Sequence, residues 1–444
     1  MRATAALMAA LAAGCRPPPP GDDAGARTID RTVPNDTAAN RGAWPRSGRA
    51  RADAGSLVDA RSYGLDGRVT TALEGAAPTG IVRMVRTRTG AAMVWSVPGA
   101  TGSDVVALGL DPDGRATGVP RVLRAVPGRV EAMDADARHG LLWVAFSSSL
   151  GAFGRWELRR TGALVATDDL AVARGPVIFE DLRVWPIQRR WRSVFAEVRA
   201  GDDGTAAALV SSDNTACPWG APVAGRINWV DCPGWKWFRV SQRPGMLADG
   251  RGGVVQPDLL PSSLTRVPQG WVYAHGPLEG VVEQPRVVFD PVNGGPRQRV
   301  LPAFTETVSF CEGPRVAWTG DTWVATCTPR ASLREPEGTV WIRAVRLDGT
   351  AATPARNTVA RMTGEVLRCF RGRPVVELRW DGGVVRLDPA HPDASFRLEQ
   401  WNAGGVFDGV GAAVWAGRAV VGVSVGTGRL RRWRCDAAGE VVAE

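Results

Sequence analysis

The chain has 444 residues, 44% of them apolar, which is too long for one small domain and too apolar for a disordered protein. Its formal charge is +9, but the cations are arginines spread along the chain, with Lys236 as the only lysine and no basic block. A nucleic-acid partner, which would call for clustered cations, is therefore not expected.

The first segment, residues 1–14, carries Arg2 and then an apolar run from Ala3 to Ala13, too short to span a bilayer and of the length of a signal-peptide core. It ends in Leu11-Ala12-Ala13-Gly14-Cys15. Small residues at Ala13 and Gly14 suit a cleavage site that must lie extended in a narrow peptidase groove. This stretch resembles the lipobox of bacterial lipoproteins, with Ala12 at the position where that family prefers Leu. The resemblance covers only the first fifteen or so residues. It implies removal of residues 1–14 and acylation of Cys15. Each buried methylene contributes about 0.8 kcal/mol, so two or more chains would hold the protein on a membrane. Arg16, where an Asp would signal retention, implies the outer membrane.

Residues 15–58 are rich in Pro, Gly, Ala and Asp and have no apolar periodicity. Four prolines after Arg16 favour stiff polyproline II, and the rest is expected to be a disordered tether.

From residue 59 to 444 short β-type runs alternate with Gly, Asp and Pro turns, as in GAAMVWSVPG, DVVALGLDPDGR, GLLWVAFSSS and PVVELRWDGGVVRLDP. Related units recur: VVALGLDPDGRATGVPRVL, WELRRTGALVATDDLAV, WIRAVRLDGTAATPARNTV and LRRWRCDAAGEVVAE. A period of roughly 40–50 residues is that of propeller blades. The expected fold is all-β, a β-propeller of about seven four-stranded blades within a range of six to eight, with tandem β-sandwich domains as the alternative. SYGLDGRVTTAL, residues 62–73, reads as half a unit that would complete a blade begun at the other end.

Removing Cys15 leaves Cys217, Cys232, Cys311, Cys327, Cys369 and Cys435, an even number that in an exported chain suggests disulfides. Local pairing gives Cys217–Cys232, Cys311–Cys327 and Cys369–Cys435; six buried thiols are the alternative. There is no CxxC, and His139, His275 and His391 stand far apart in sequence, so no metal or haem site is expected.

Between Cys217 and Phe238 lie Trp219, Trp229, Trp235 and Trp237, with Lys236 interleaved. Indoles stack on sugar faces and cations pair with carboxylates, so this stretch is a candidate disulfide-pinned ligand loop. Burial of the indoles between blades is the competing explanation. GVSVG, Gly422 to Gly426, matches G-x-S-x-G, but a strand-like run follows it and no histidine lies downstream. It reads as a small-residue strand packed in a crowded place. LDPDG, Leu110 to Gly114, reads as a hairpin turn rather than a calcium loop.

No catalytic residue and no cofactor emerge. The expected function is a lipid-anchored module of the bacterial cell envelope that binds an envelope protein or polysaccharide. An exported propeller enzyme acting on glycans, a lyase or hydrolase, and a structural lipoprotein without a ligand are the alternatives.

Overall fold

The computed structural model describes residues 81–99, 102–153, 156–184, 196–223, 226–241, 254–255, 264–268, 270–275, 286–291, 298–302, 311–329, 340–345, 360–381, 383–401, 405–424 and 430–444. The described residues, from Ile81 to Glu444, belong to one compact unit. The expectations for residues 1–14, Cys15, the tether and SYGLDGRVTTAL lie outside the described residues.

The first sheet comprises Val82–Arg86 (β1), Ala91–Gly99 (β2), Gly102–Leu110 (β3) and Arg121–Pro127 (β4). The second comprises Arg129–Arg138 (β5), Leu141–Phe153 (β6), Trp156–Thr167 (β7) and Ala173–Val184 (β8). The third comprises Ala196–Ala200 (β9), Thr205–Val223 (β10), Arg226–Ser241 (β11) and Val254–Val255 (β12). The fourth holds Leu264–Val267 (β13), Gly270–His275 (β14), Arg286–Pro291 (β15) and Gln298–Pro302 (β16). The fifth has six strands: Cys311–Trp318 (β17), Trp323–Pro329 (β18), Trp341–Val345 (β19), Ala360–Phe370 (β20), Arg373–Trp380 (β21) and Gly383–Leu387 (β22). The sixth holds Val410–Trp415 (β23), Val420–Ser424 (β24), Leu430–Cys435 (β25) and Val441–Ala443 (β26). Neighbouring strands pair antiparallel throughout, and the chain is all-β. The helical turn Leu398–Gln400 is short, and among the described residues no helix is long and apolar enough to cross a membrane.

The sheets stack face to face in chain order. Val94, Ala107 and Leu123 of the first pack on Met133, Val144 and Leu164 of the second. Trp143 and Ala163 of the second pack on Val198 and Ala208 of the third. Ala317, Val324 and Val376 of the fifth share a core with Trp415, Val420 and Trp433 of the sixth. The sixth then returns to the first, where Ala419, Val421 and Val423 pack on Met93, Trp95 and Val106. Middle strands such as AAMVWSV are buried on both faces, which explains their continuous apolar runs.

The six sheets found among the described residues sit at the low end of the expected blade range. The fifth sheet is enlarged because β19 and β20 meet through two residue pairs, Trp341 with Arg361 and Ile342 with Ala360, which join two three-stranded halves. Among the described residues the first and sixth sheets each draw four strands from one contiguous stretch and pack face to face.

The hairpin reading of LDPDG holds. The Asp111 carboxylate accepts hydrogen bonds from the amides of Asp113 and Arg115, and Gly114 turns the chain at φ +78°. A Cβ on Gly114 would meet the Val421 side chain at 2.3 Å, so glycine is also required for the approach of the sixth sheet. The same turn recurs where Asp436 accepts from Ala438 and Glu440.

Candidate functional site

The site grows from the first strands of successive sheets. In β5, Met133 and Ala135 face the apolar core between sheets, while Asp134 and Asp136 alternate to the other side. In β9, Ala196, Val198 and Ala200 enter the core and Glu197 and Arg199 alternate with them. Arg83 alternates with the buried Val82 and Met84 of β1. These charged side chains meet where the first strands run side by side.

Asp134 is the hub. It accepts from Arg199 at 2.9 Å and from the Val198 amide at 2.8 Å, lies 3.5 Å from Arg83, and is also paired with Arg397. Glu197 lies 3.4 Å from Arg199 and 3.7 Å from Arg397, and accepts from the Leu264 amide at 2.7 Å. Burial opposes ionisation of Asp134, but Arg397, Arg199 and Arg83 outweigh it and hold its carboxyl below the usual range. For Glu197 burial wins over Arg199 and Arg397, and its pKa is raised. Arg397 is stabilised as a cation against burial by Asp134, Glu197 and Glu399.

Arg397 arrives on the segment 388–400, between β22 and β23. Ser395 fastens that segment: it exchanges backbone hydrogen bonds with Trp318 at 2.9 and 3.1 Å, accepts from the Thr265 hydroxyl, and its own hydroxyl accepts from the Arg266 amide at 2.9 Å.

Above this network opens a cavity of about 500 Å³. Its wall is built from β1, the end of β5, Arg199, Arg266, the 389–399 segment and β23. The volume falls within the range of small-molecule sites. Asp136 lines it and accepts from the Ala200 amide at 2.8 Å; burial raises its pKa, against the pull of Arg199 and that amide. At the rim Arg88 grips Asp168 through its side chain and its backbone amide. Among the described residues no group of His, Cys, Asp and Glu is arranged to hold a metal ion.

The sequence-predicted residues fall elsewhere. Cys369 of β20 and Cys435 of β25 are joined by a disulfide that ties the fifth sheet to the sixth, with Cα atoms 5.7 Å apart. In the backbone register Cys217 stands opposite Val230 and Cys232 opposite Thr215; Cys311 stands opposite Pro329, and Cys327 falls at the register shift between Glu312 and Arg315. The side chains of these four lie outside the described residues. Trp219, Trp229, Trp235, Lys236 and Trp237 belong to the paired strands β10 and β11, not to a loop, and their side chains also lie outside the described residues. Ser424 is buried at the end of β24, and a Cβ on Gly422 would meet Trp433 at 2.8 Å and Val410 at 2.9 Å, as the small-residue reading of GVSVG expects.

His139 and His391, remote in sequence, both line the cavity. His139 lies 3.1 Å from Asp202, and the His391 ring accepts from the Asp393 amide at 3.1 Å. The signal that marks this site in the sequence is the charge alternating with apolar residues in VRMVR, AMDADAR and AEVRA.

No family model matches the chain, and no curated protein matches it. Among solved structures it is similar to Trypanosoma rangeli sialidase in complex with sialic acid, at 8% identity and TM-score 0.34, over 69% of this chain and 53% of that one. It is also similar to Penicillium chrysogenum alpha-L-arabinanase, at 13% identity and TM-score 0.37, over 70% and 94%. A third likeness is to polysaccharide lyase Uly1, at 9% identity and TM-score 0.36, over 69% and 77%. The chain spans about half the length of the sialidases it matches. TM-scores of this size carry no inference about activity.

Proposed function

We propose that this chain is a binding module of the bacterial cell envelope, anchored by lipid on Cys15 and holding the end of a polysaccharide chain in the cavity above the charge network. The carrying observation is the cavity itself, about 500 Å³, polar, and built on a buried charge network that fixes its wall. Preorganised polar groups in a concave site reduce the ordering cost of binding. The lipobox-like Leu11 to Cys15 supports the anchor, and the Pro-rich stretch after it supports a spacer between membrane and module.

Two measurements test this reading. The intact mass of protein from native-host membranes should begin at Cys15 and carry acyl chains; a chain starting at Met1 would remove the anchor. Purified envelope polysaccharide should bind the detergent-solubilised protein and should lose that binding in Ala394→Trp, which fills the cavity from the 389–399 segment. Equal binding by the variant would move the ligand away from the cavity.

One observation favours a second reading, an exported enzyme acting on glycans. Asp136 is a half-buried carboxyl in the cavity wall whose raised pKa suits it to keep a proton and give it to a leaving group. In that case the same polysaccharide would be shortened, and Asp136→Asn would stop the shortening while leaving binding.

A further inference from the structure

The cavity mouth holds more arginine than carboxylate. Arg138 donates to Asp393 at 3.1 Å and to the Pro392 carbonyl at 3.0 Å, and also pairs with Asp202. Arg266 lies 3.6 Å from the same Asp202 and donates to the Asp393 carbonyl at 3.3 Å. Arg86 donates to the Ala390 carbonyl at 3.0 Å, and among the described residues no carboxylate forms an ion pair with it. Arg138 and Arg266 therefore share Asp202 and Asp393, while the acid that acts on Arg86 from a distance, Asp388, is itself paired with Arg373 at 3.1 Å. The next acid, Asp136, is pushed towards its neutral form by burial.

Two of the three are held largely out of water: the Arg138 side chain is 16% exposed and that of Arg266 6%, where burial lowers the pKa, while Arg86 is exposed. A buried cation without a full counter-charge is unfavourable, and an incoming anion would relieve it. The two carboxylates already present are the loosest members of the cluster: the side chains of Asp202 and Asp393 are each 51% exposed. They show that carboxylate oxygens fit these guanidinium forks, whose planar, paired donors match that group.

We infer that the cavity selects a carboxylate-bearing sugar, whose carboxylate lies among Arg86, Arg138 and Arg266 and displaces Asp393. This rests on the cavity being the ligand site. Asp393 then acts as an internal competitor that the ligand must replace.

The test is calorimetric titration of the full protein with trigalacturonate, with the neutral galactotriose, and with inorganic phosphate. Trigalacturonate should bind at least about tenfold more tightly than galactotriose, the affinity of one charge-assisted pair, and should weaken as salt rises. Arg138→Gln should lower that affinity by at least about tenfold. Asp393→Asn should raise it several-fold, and because this side chain is half exposed the variant keeps the test open should an arginine variant fail to fold.

Equal affinity for the acidic and neutral sugars, both lost in Ala394→Trp, would overturn the carboxylate inference and leave the cavity as the ligand site. Trigalacturonate binding unchanged by Ala394→Trp would overturn both. Phosphate binding more tightly than trigalacturonate, or no binding by any of the three, would overturn the inference.

Discussion

Arg397 and Arg418 are both ion-paired arginines, yet they differ in what their removal would leave behind. Arg418 pairs with Asp113 at 3.1 Å while its side chain is 67% exposed, so water replaces it when it is lost. Arg397 reaches Asp134 and Glu197, two carboxylates with essentially no exposed surface. Without it, among the described residues Asp134 keeps Arg199 and Arg83 as cationic partners, and Glu197 keeps Arg199. An uncompensated buried charge costs on the order of 3–5 kcal/mol, whereas an exposed pair contributes about 0–1 kcal/mol. Arg397→Met should therefore lower the free energy of urea unfolding by several kcal/mol, and Arg418→Met by less than about 1 kcal/mol. Equal effects would show that Arg397 is dispensable to the network.

At the scale of elements, the turns were the most legible feature, because their chemistry is local. Asp followed by Gly three residues later names the turns at Asp111 and Asp436, and both form with the same carboxylate-to-amide bonds. Asp436→Ala should cost about 1 kcal/mol in unfolding free energy, the worth of a lost cap of this kind. Gly114→Ala should cost more, since it adds a strained φ and a 2.3 Å approach to Val421. A smaller loss for Gly114→Ala than for Asp436→Ala would mean that the first and sixth sheets can separate there without penalty. The number of sheets was less legible. The first strands begin at Val82, Arg129, Ala196, Leu264, Cys311 and Val410, and the wider intervals hide the repeat. The tryptophan-rich stretch shows the same limit: its composition suggested a loop, while its backbone pairs as β10 with β11. Alternation along a long hairpin was masked there by Gly, Pro and the two cysteines.

Across the whole molecule, the cavity depends on proximity that no local window contains. Arg83, Asp134, Glu197 and Arg397 come from four separate parts of the chain, and only the stacking of sheets brings them together. The alternating charges in the first strands were visible, but a charge alternating with apolar residues equally describes a solvated strand face. The buried carboxyls now make stability depend on pH in two opposite senses. Asp134 has a lowered pKa, so its contribution is present above the unfolded value and is lost as pH falls through the folded one. Glu197 and Asp136 have raised pKa values, so their contributions are present below the unfolded values and are lost as pH rises through the folded ones. Glu197 faces Arg199 on its own strand, Arg397 from the 388–400 segment, and Asp134 from β5, and these partners remain in the variant Glu197→Gln. The difference in unfolding free energy between the natural protein and Glu197→Gln reports the Glu197 titration together with its coupling to Asp134, while Asp136 titrates in both. That difference should shift against the natural protein as pH rises above about 4.3, the ordinary glutamate value, by up to about 1.4 kcal/mol per pH unit until the raised pKa is passed. Urea unfolding of both proteins across that interval measures it. A difference that stays flat would mean that Glu197 ionises as freely in the fold as in the unfolded chain, and the network beneath the cavity would then hold two ionised carboxylates, Asp134 and Glu197, against the three guanidiniums of Arg83, Arg199 and Arg397.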